Sequence, residues 1–139
     1  MIPRKNKEEF PLNLISIEKV LEITLKEIKK LIKEDKIEFQ SSSKNISTFR
    51  ELRRELGITH DDFQDEVLET IKNLTIENYY EGPDYDYNIE RNYIFWKFGV
   101  RVFNREIYLK FTIQEDKGKK VVVWSYHFPE YPINYPFKK

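Results

Sequence analysis

The sequence predicts an α+β fold in which helices pack on a small, mainly antiparallel sheet. Two apolar sets, Trp96, Phe98, Val100 and Val102 and then Ile107, Leu109, Phe111 and Ile113, alternate with polar residues at a period of two, as a half-buried antiparallel pair requires. Earlier in the chain, Leu25, Ile28, Leu31 and Ile32 recur at helical spacing, as do Phe63, Val67, Leu68 and Ile71. Helical signals precede strand signals, which is the segregation an α+β chain shows. At 139 residues, a single domain spanning 1–139 with one core is expected.

Residues 1–23 read as an N-terminal extension in which Ile15 to Ile23 has two solutions: a helix capped at Ser16 and running onward, which is favoured, or an extended segment at Lys19 to Ile23. Thr24-Leu25-Lys26-Glu27 has the form of a capping box and predicts a helix over 25–35. Lys36 to Gln40 then reads as a short strand and Ser41 to Asn45 as a loop. A helix over Thr48 to Leu56 should close at Gly57, and Thr59 should cap a further helix whose first turn holds Asp61 and Asp62. Tyr79 to Tyr87 is expected to be an aromatic, acidic loop around Gly82-Pro83, with rings available for stacking or for packing over the sheet edge. The hairpin follows, with Asn104-Arg105 as its two-residue turn, so that 97 pairs with 112, 99 with 110 and 101 with 108. After a polar loop at 115–120, Val121 to Phe128 forms a third strand. The Pro-rich tail 129–139 should be stapled down by Tyr131, Tyr135 and Phe137.

Composition narrows the chemistry. There is no cysteine, which excludes disulfides and thiolate metal sites, and His60 and His127 are the sole imidazoles. No metal and no cofactor are therefore expected. No apolar run approaches a membrane span, and the first residues lead into charged sequence rather than a signal peptide, so a cytoplasmic protein with no membrane partner is expected. Glycine-rich phosphate loops, Gly-x-Ser-x-Gly elbows and zincin helices are lacking. Net charge is zero but uneven: residues 1–58 hold 13 basic and 10 acidic side chains, 59–90 hold 1 and 10, and 91–139 hold 10 and 4. A basic C-terminal sheet beside an acidic middle segment suits a surface that meets phosphate or a charged protein partner.

The polar face of the hairpin carries Lys97, Arg101, Tyr108 and Lys110. Any sheet with one wet face shows such residues, so the pattern gives a surface and not its task. His127 joins that face only if the third strand pairs in odd register, with 108 opposite 127; the even register turns it away. Both registers remain open, although the odd one also directs Val122, Trp124 and Tyr126 to the core.

The order helix, strand, helix, helix and sheet, from about Leu25 to Phe128, has recognisable pieces. They are Leu25 to Ile32 followed by Lys36-Ile37-Glu38-Phe39, then Glu55-Leu56-Gly57-Ile58, Val67 to Leu74, and Asn78-Tyr79-Tyr80. The strands Ile107-Tyr108-Leu109-Lys110-Phe111-Thr112-Ile113 and Ser125-Tyr126-His127 are the most specific. Together they resemble the MqsR-like toxins of bacterial type II toxin–antitoxin systems. The resemblance implies a RelE-like fold and an mRNA endoribonuclease, acting on free or ribosome-bound message and neutralised by a cognate antitoxin protein.

Carried over position by position, the family's catalytic tyrosine falls on Tyr108, its final-strand lysine on His127, its glutamine on Lys97 after Trp96, and its loop lysine on Glu81. The tyrosine alone is retained, yet every replacement can still transfer protons or hold phosphate. The implied mechanism uses no metal: a base frees a ribose 2′-hydroxyl to attack the adjacent phosphorus and an acid protonates the leaving 5′-oxygen, with His127 able to act as acid or base, Tyr108 as donor or phosphate ligand, and Glu81 as a base. Lys97, Arg101 and Lys110 supply positive charge to the phosphate. Two other readings stand beside this one: a non-catalytic module binding a peptide or small ligand, and a catalytically dead relative that retains the antitoxin contact.

Overall fold

The computed structural model describes residues 14–85, 93–115 and 117–139. These form three α-helices and a five-stranded, mostly antiparallel open sheet. In chain order they are α1 (Leu14–Lys33), β1 (Ile37–Phe39), α2 (Ser43–Leu56), α3 (His60–Lys72), a 3-10 turn (Ile76–Asn78), β2 (Tyr79–Tyr85), β3 (Ile94–Val102), β4 (Arg105–Glu115) and β5 (Lys119–His127). The strand order is β1-β5-β4-β3-β2, and β1 lies parallel to β5. No helix among the described residues is long and apolar enough to cross a membrane.

The helices bury their stripes on one sheet face. Leu21, Leu25, Ile28 and Ile32 of α1, Leu52 of α2, and Phe63, Val67 and Ile71 of α3 meet Phe98, Val100, Leu109, Phe111, Val121, Val123 and Tyr126 in one cluster. Phe98 stacks on Phe111 across β3 and β4 with centroids 5.1 Å apart. Burying such side chains contributes roughly 1.5–3 kcal/mol each.

The helix ends explain themselves. Ser42 caps α2, and Gly57 closes it in left-handed conformation with its N–H donating to the Arg53 carbonyl. Thr59 caps α3 as expected. Thr24, however, is not a cap: α1 runs through it, and its hydroxyl donates to the Val20 carbonyl. The described part of the supposed N-terminal extension is thus the first stretch of a core helix that starts at Leu14, with Leu21 fully buried; residues 1–13 lie outside the described residues.

Three strand expectations are corrected. The segment expected to be a loop at Tyr79 to Tyr87 is, through Tyr85, an edge strand with bulged register on β3, while positions 86 and 87 lie outside the described residues. Gly82, at φ +125°, permits this: a Cβ there would meet the Phe95 carbonyl at 2.9 Å. Tyr79 turns into the core rather than outward. The hairpin turn is Phe103-Asn104, both at positive φ, so Val102 pairs with Arg105 and Lys97 pairs with Lys110, not 112. That shift preserves which face each residue occupies and frees Arg105 to bridge Glu51 and Glu55 of α2.

The third correction concerns β5, which uses both registers. Val121 pairs with Ile113 and Val123 with Phe111, but beyond a bulge at Trp124 the pairs become Ser125 with Lys110, Tyr126 with Leu109 and His127 with Tyr108. Two consecutive residues, Trp124 and Ser125, therefore face away from the core between inward Val123 and inward Tyr126. Trp124 and Val122 do not join the core cluster as the odd register alone would require; Tyr126 does.

Buried Asn45 spans this irregularity. Its amide donates to the carbonyls of Gln40 (2.9 Å) and Trp124 (3.1 Å), and its carbonyl accepts the Tyr126 N–H (2.9 Å). Asn45→Ala strands these backbone groups and should cost about 2–3 kcal/mol in urea denaturation; a loss below about 0.5 kcal/mol would contradict the bridging role.

The Tyr126 hydroxyl is buried and has no hydrogen-bond partner among the described residues. Burial pushes its phenol upward, and burial with Asp84 and Glu81 nearby pushes Tyr79 up to about 12. Raised folded values mean that this stability is complete below the free phenol value of about 10 and falls as pH climbs beyond it. Tyr126→Phe should leave stability equal or higher by up to about 1–3 kcal/mol at neutral pH, and should flatten the alkaline decline. Denaturation midpoints at neutral pH and above pH 10 check both parts.

Candidate functional site

The sheet face opposite the helices holds a cleft of about 460 Å³ to which Glu81, Lys97, Tyr108, Lys110 and His127 all contribute. Each arrives by strand parity: Lys97 on β3 sits opposite Lys110 on β4, Tyr108 lies opposite His127 on β5, and Glu81 on β2 is opposite Lys97. The bulge at Trp124 is what returns His127 to this face.

Tyr108 and His127 are neighbours, with ring centroids 5.4 Å apart, and Tyr80 meets Tyr108 edge-on at 6.5 Å. His127 Nδ1 lies 3.0 Å from the Phe128 carbonyl oxygen. A carbonyl can only accept, so Nδ1 is the donor in this contact, and in the neutral imidazole that leaves the lone pair on Nε2, the form a general base needs. Burial raises the Tyr108 phenol; Lys97 opposes that rise, while Glu81, Tyr80 and Asp84 add to it, and the net value lies above the ordinary tyrosine range.

Lys97 is half-buried and paired with Asp84 at 2.9 Å and Glu81 at 3.5 Å. Burial works against its ammonium, but the hydrogen bond and charge of Asp84, with Tyr108 and Glu81, outweigh that penalty and hold the group above the usual lysine range. Glu81 thus serves first as a counter-charge. Lys110 Nζ lies 4.9 Å from the centre of the Phe95 ring, within cation–π range. Trp124 contacts Phe95 and Tyr93, each at 5.9 Å, and its indole N–H donates to Thr112. These rings form an aromatic wall beside the two lysines.

Arg101 does not join the group. It shares the face but lines a separate cleft of about 670 Å³ with Glu106 and Tyr135. The tail separates them: Tyr131 and Ile133 border the first cleft, whereas Tyr135 sits on Gly99 and donates to Glu106 at 2.7 Å. A Cβ on Gly99 would come within 2.2 Å of the Tyr135 hydroxyl, so glycine is required for the tail to cross here. Phe137 packs against Tyr79, as expected of a staple, but Tyr131 is exposed at 78% and staples nothing. Glu130 anchors the tail to Lys44 instead.

Sequence reasoning missed Asp84, Trp124 and Lys44. Asp84 was readable only as part of a loop, and the outward turn of Trp124 depends on a bulge that has no local signature. Among the described residues no group of three or more His, Asp or Glu is arranged to hold a metal ion. Searches against protein-family models, characterised proteins and solved structures gave no match to this chain.

Because the Lys97 ammonium favours a phenolate beside it, Lys97→Met should move the Tyr108 titration further upward. NMR of ring-labelled tyrosine reads this directly; a downward move would mean that Lys97 does not face Tyr108.

Proposed function

We propose that this protein is a metal-independent endoribonuclease with a RelE-like fold, the toxin of a bacterial toxin–antitoxin pair. It acts in the cytoplasm on mRNA, free or on the ribosome, and a cognate antitoxin protein restrains it. The observation that carries this reading is the pairing of Tyr108 with His127, whose Nδ1 contact with the Phe128 carbonyl leaves Nε2 as the base position of the neutral ring, beside Lys97 and Lys110.

Nε2 of His127 takes the proton of a ribose 2′-hydroxyl, and the freed oxygen attacks the adjacent phosphorus. Lys97 and Lys110 stabilise the extra negative charge that develops on the phosphoryl oxygens. The bond to the 5′-oxygen breaks as Tyr108 donates its proton to it, leaving a 2′,3′-cyclic phosphate and a 5′-hydroxyl; the imidazolium then returns a proton to the phenolate. Trp124 and Phe95 offer stacking surfaces for flanking bases. Asp84 and Glu81 fix Lys97 in position rather than reacting.

One observation favours a non-catalytic binding module instead: the charges of Lys97 and Lys44 are matched by Asp84, Glu81 and Glu130, which leaves the cleft close to neutral. RNA incubated with the protein in EDTA separates the two. Cleavage to cyclic phosphate is expected, with His127→Ala and Tyr108→Phe each slower by about 10²–10⁴-fold. Since the Tyr108 phenol is raised, the donor stays protonated past the ordinary value of about 10, so the alkaline limb of the rate profile lies above that pH. That limb should vanish in Tyr108→Phe. Intact RNA and unaffected growth on overexpression would sink the proposal.

A further inference from the structure

A third cleft, of about 510 Å³, opens where β1 ends and α2 and α3 converge. Arg50 and Arg53 stand three apart on α2, His60 and Gln64 four apart on α3, so each pair lies on one helix face at the cleft. Among the described residues no Asp or Glu lines it, although the chain holds 24 acidic residues. The carboxylates that α2 does carry, Glu51 and Glu55, are taken by Arg105. Arg50 and Arg53 make no ion pair with any described residue, and Nε of Arg53 is buried without a hydrogen-bond partner. Guanidinium groups left unmatched in this way are matched by anionic oxygens, and their planar fork suits phosphate.

The position of the cleft narrows the choice of anion. The segment from Gln40 to Asn45 lines both sites: Ser42 and Lys44 border the Tyr108–His127 cleft, while Gln40, Ser41 and Asn45 border this one. A chain of phosphates leaving the first cleft across that segment runs directly into the second. Phe49 and Ile46 supply an apolar wall for a ribose or base edge beside the cations. We infer that this cleft is an exosite for the phosphate backbone of single-stranded RNA, continuous with the cleft around Tyr108 and His127. The inference rests on the reading that RNA occupies that first cleft.

Binding is measured in His127→Ala protein, where cleavage is suppressed, by fluorescence anisotropy of a labelled single-stranded RNA of about a dozen nucleotides. Adding Arg50→Gln and His60→Gln should weaken binding at least about tenfold, and the salt dependence of log K should become shallower by about 0.7 for each phosphate contact removed. Arg53→Lys, which keeps the charge and loses the fork, should weaken binding less, with an unchanged thermal unfolding midpoint confirming that the fold is intact. With His127 present, Arg50→Gln/His60→Gln should raise KM on the long RNA and leave cleavage of a dinucleotide unchanged. Unaltered affinity and KM in these variants overturn the exosite even where the wild type cuts RNA. RNA left uncut, but bound in a manner dependent on Arg50 and His60, removes the nuclease reading and keeps the exosite. An acidic peptide that binds this cleft while RNA does not would overturn the exosite in favour of a protein partner.

Discussion

The organisation of the site depends on one buried amide. The bonding of the β1 segment to β5 ends with the Gln40 N–H donating to the Val123 carbonyl, and beyond it the outer edge of β5 would lose its partners where the bulge at Trp124 disturbs its other side. Asn45 replaces the missing strand by accepting from the Tyr126 N–H and donating to the carbonyls of Trp124 and Gln40. Buried backbone groups must be satisfied, so this single side chain allows β5 to change register without leaving the sheet. The change of register keeps Val121, Val123 and Tyr126 in the core and still delivers His127 to the opposite face.

Other features act on that arrangement. β2 adds Glu81 and Asp84, which pair with Lys97 and hold its ammonium above the usual lysine range, and which join burial in raising the Tyr108 phenol against the pull of Lys97. The tail closes the remaining side: Phe128 lies against the Arg105 guanidinium at 4.1 Å, Glu130 binds Lys44, and Tyr135 crosses at Gly99. Arg105 in turn holds α2, the helix that carries Asn45. The same helix is therefore tied to the site through its amide and to the tail through its carboxylates, while its unmatched arginines face the third cleft.

Much of this was legible because it rests on periodicity. Alternation in β3 and β4 assigned Lys97, Tyr108 and Lys110 to one face, and a two-residue slip of the hairpin could not change that, since faces repeat every second residue. Gly57 and Thr59 marked helix ends through backbone chemistry that acts locally. What failed was non-local. Thr24 and Glu27 imitate a capping box, but burial of Leu21 carries the helix through them. Gly82-Pro83 suggests a turn, yet β3 offers an edge on which that segment forms a bulged strand. Arg101 has the right parity and is separated from the cleft by Tyr135, 34 residues further along the chain. The bulge at Trp124 answers to Asn45, and nothing near Trp124 in sequence announces it.

The change of register of β5 at Trp124 is what brings His127 beside Tyr108. Interstrand nuclear Overhauser effects test it most directly. Backbone contacts are expected to pair Phe111 with Val123 together with Leu109 with Tyr126 and Tyr108 with His127, with ring contacts between the last pair. An unbroken ladder in which Ser125 and His127 continue the parity of Val123 and face the helices would contradict it.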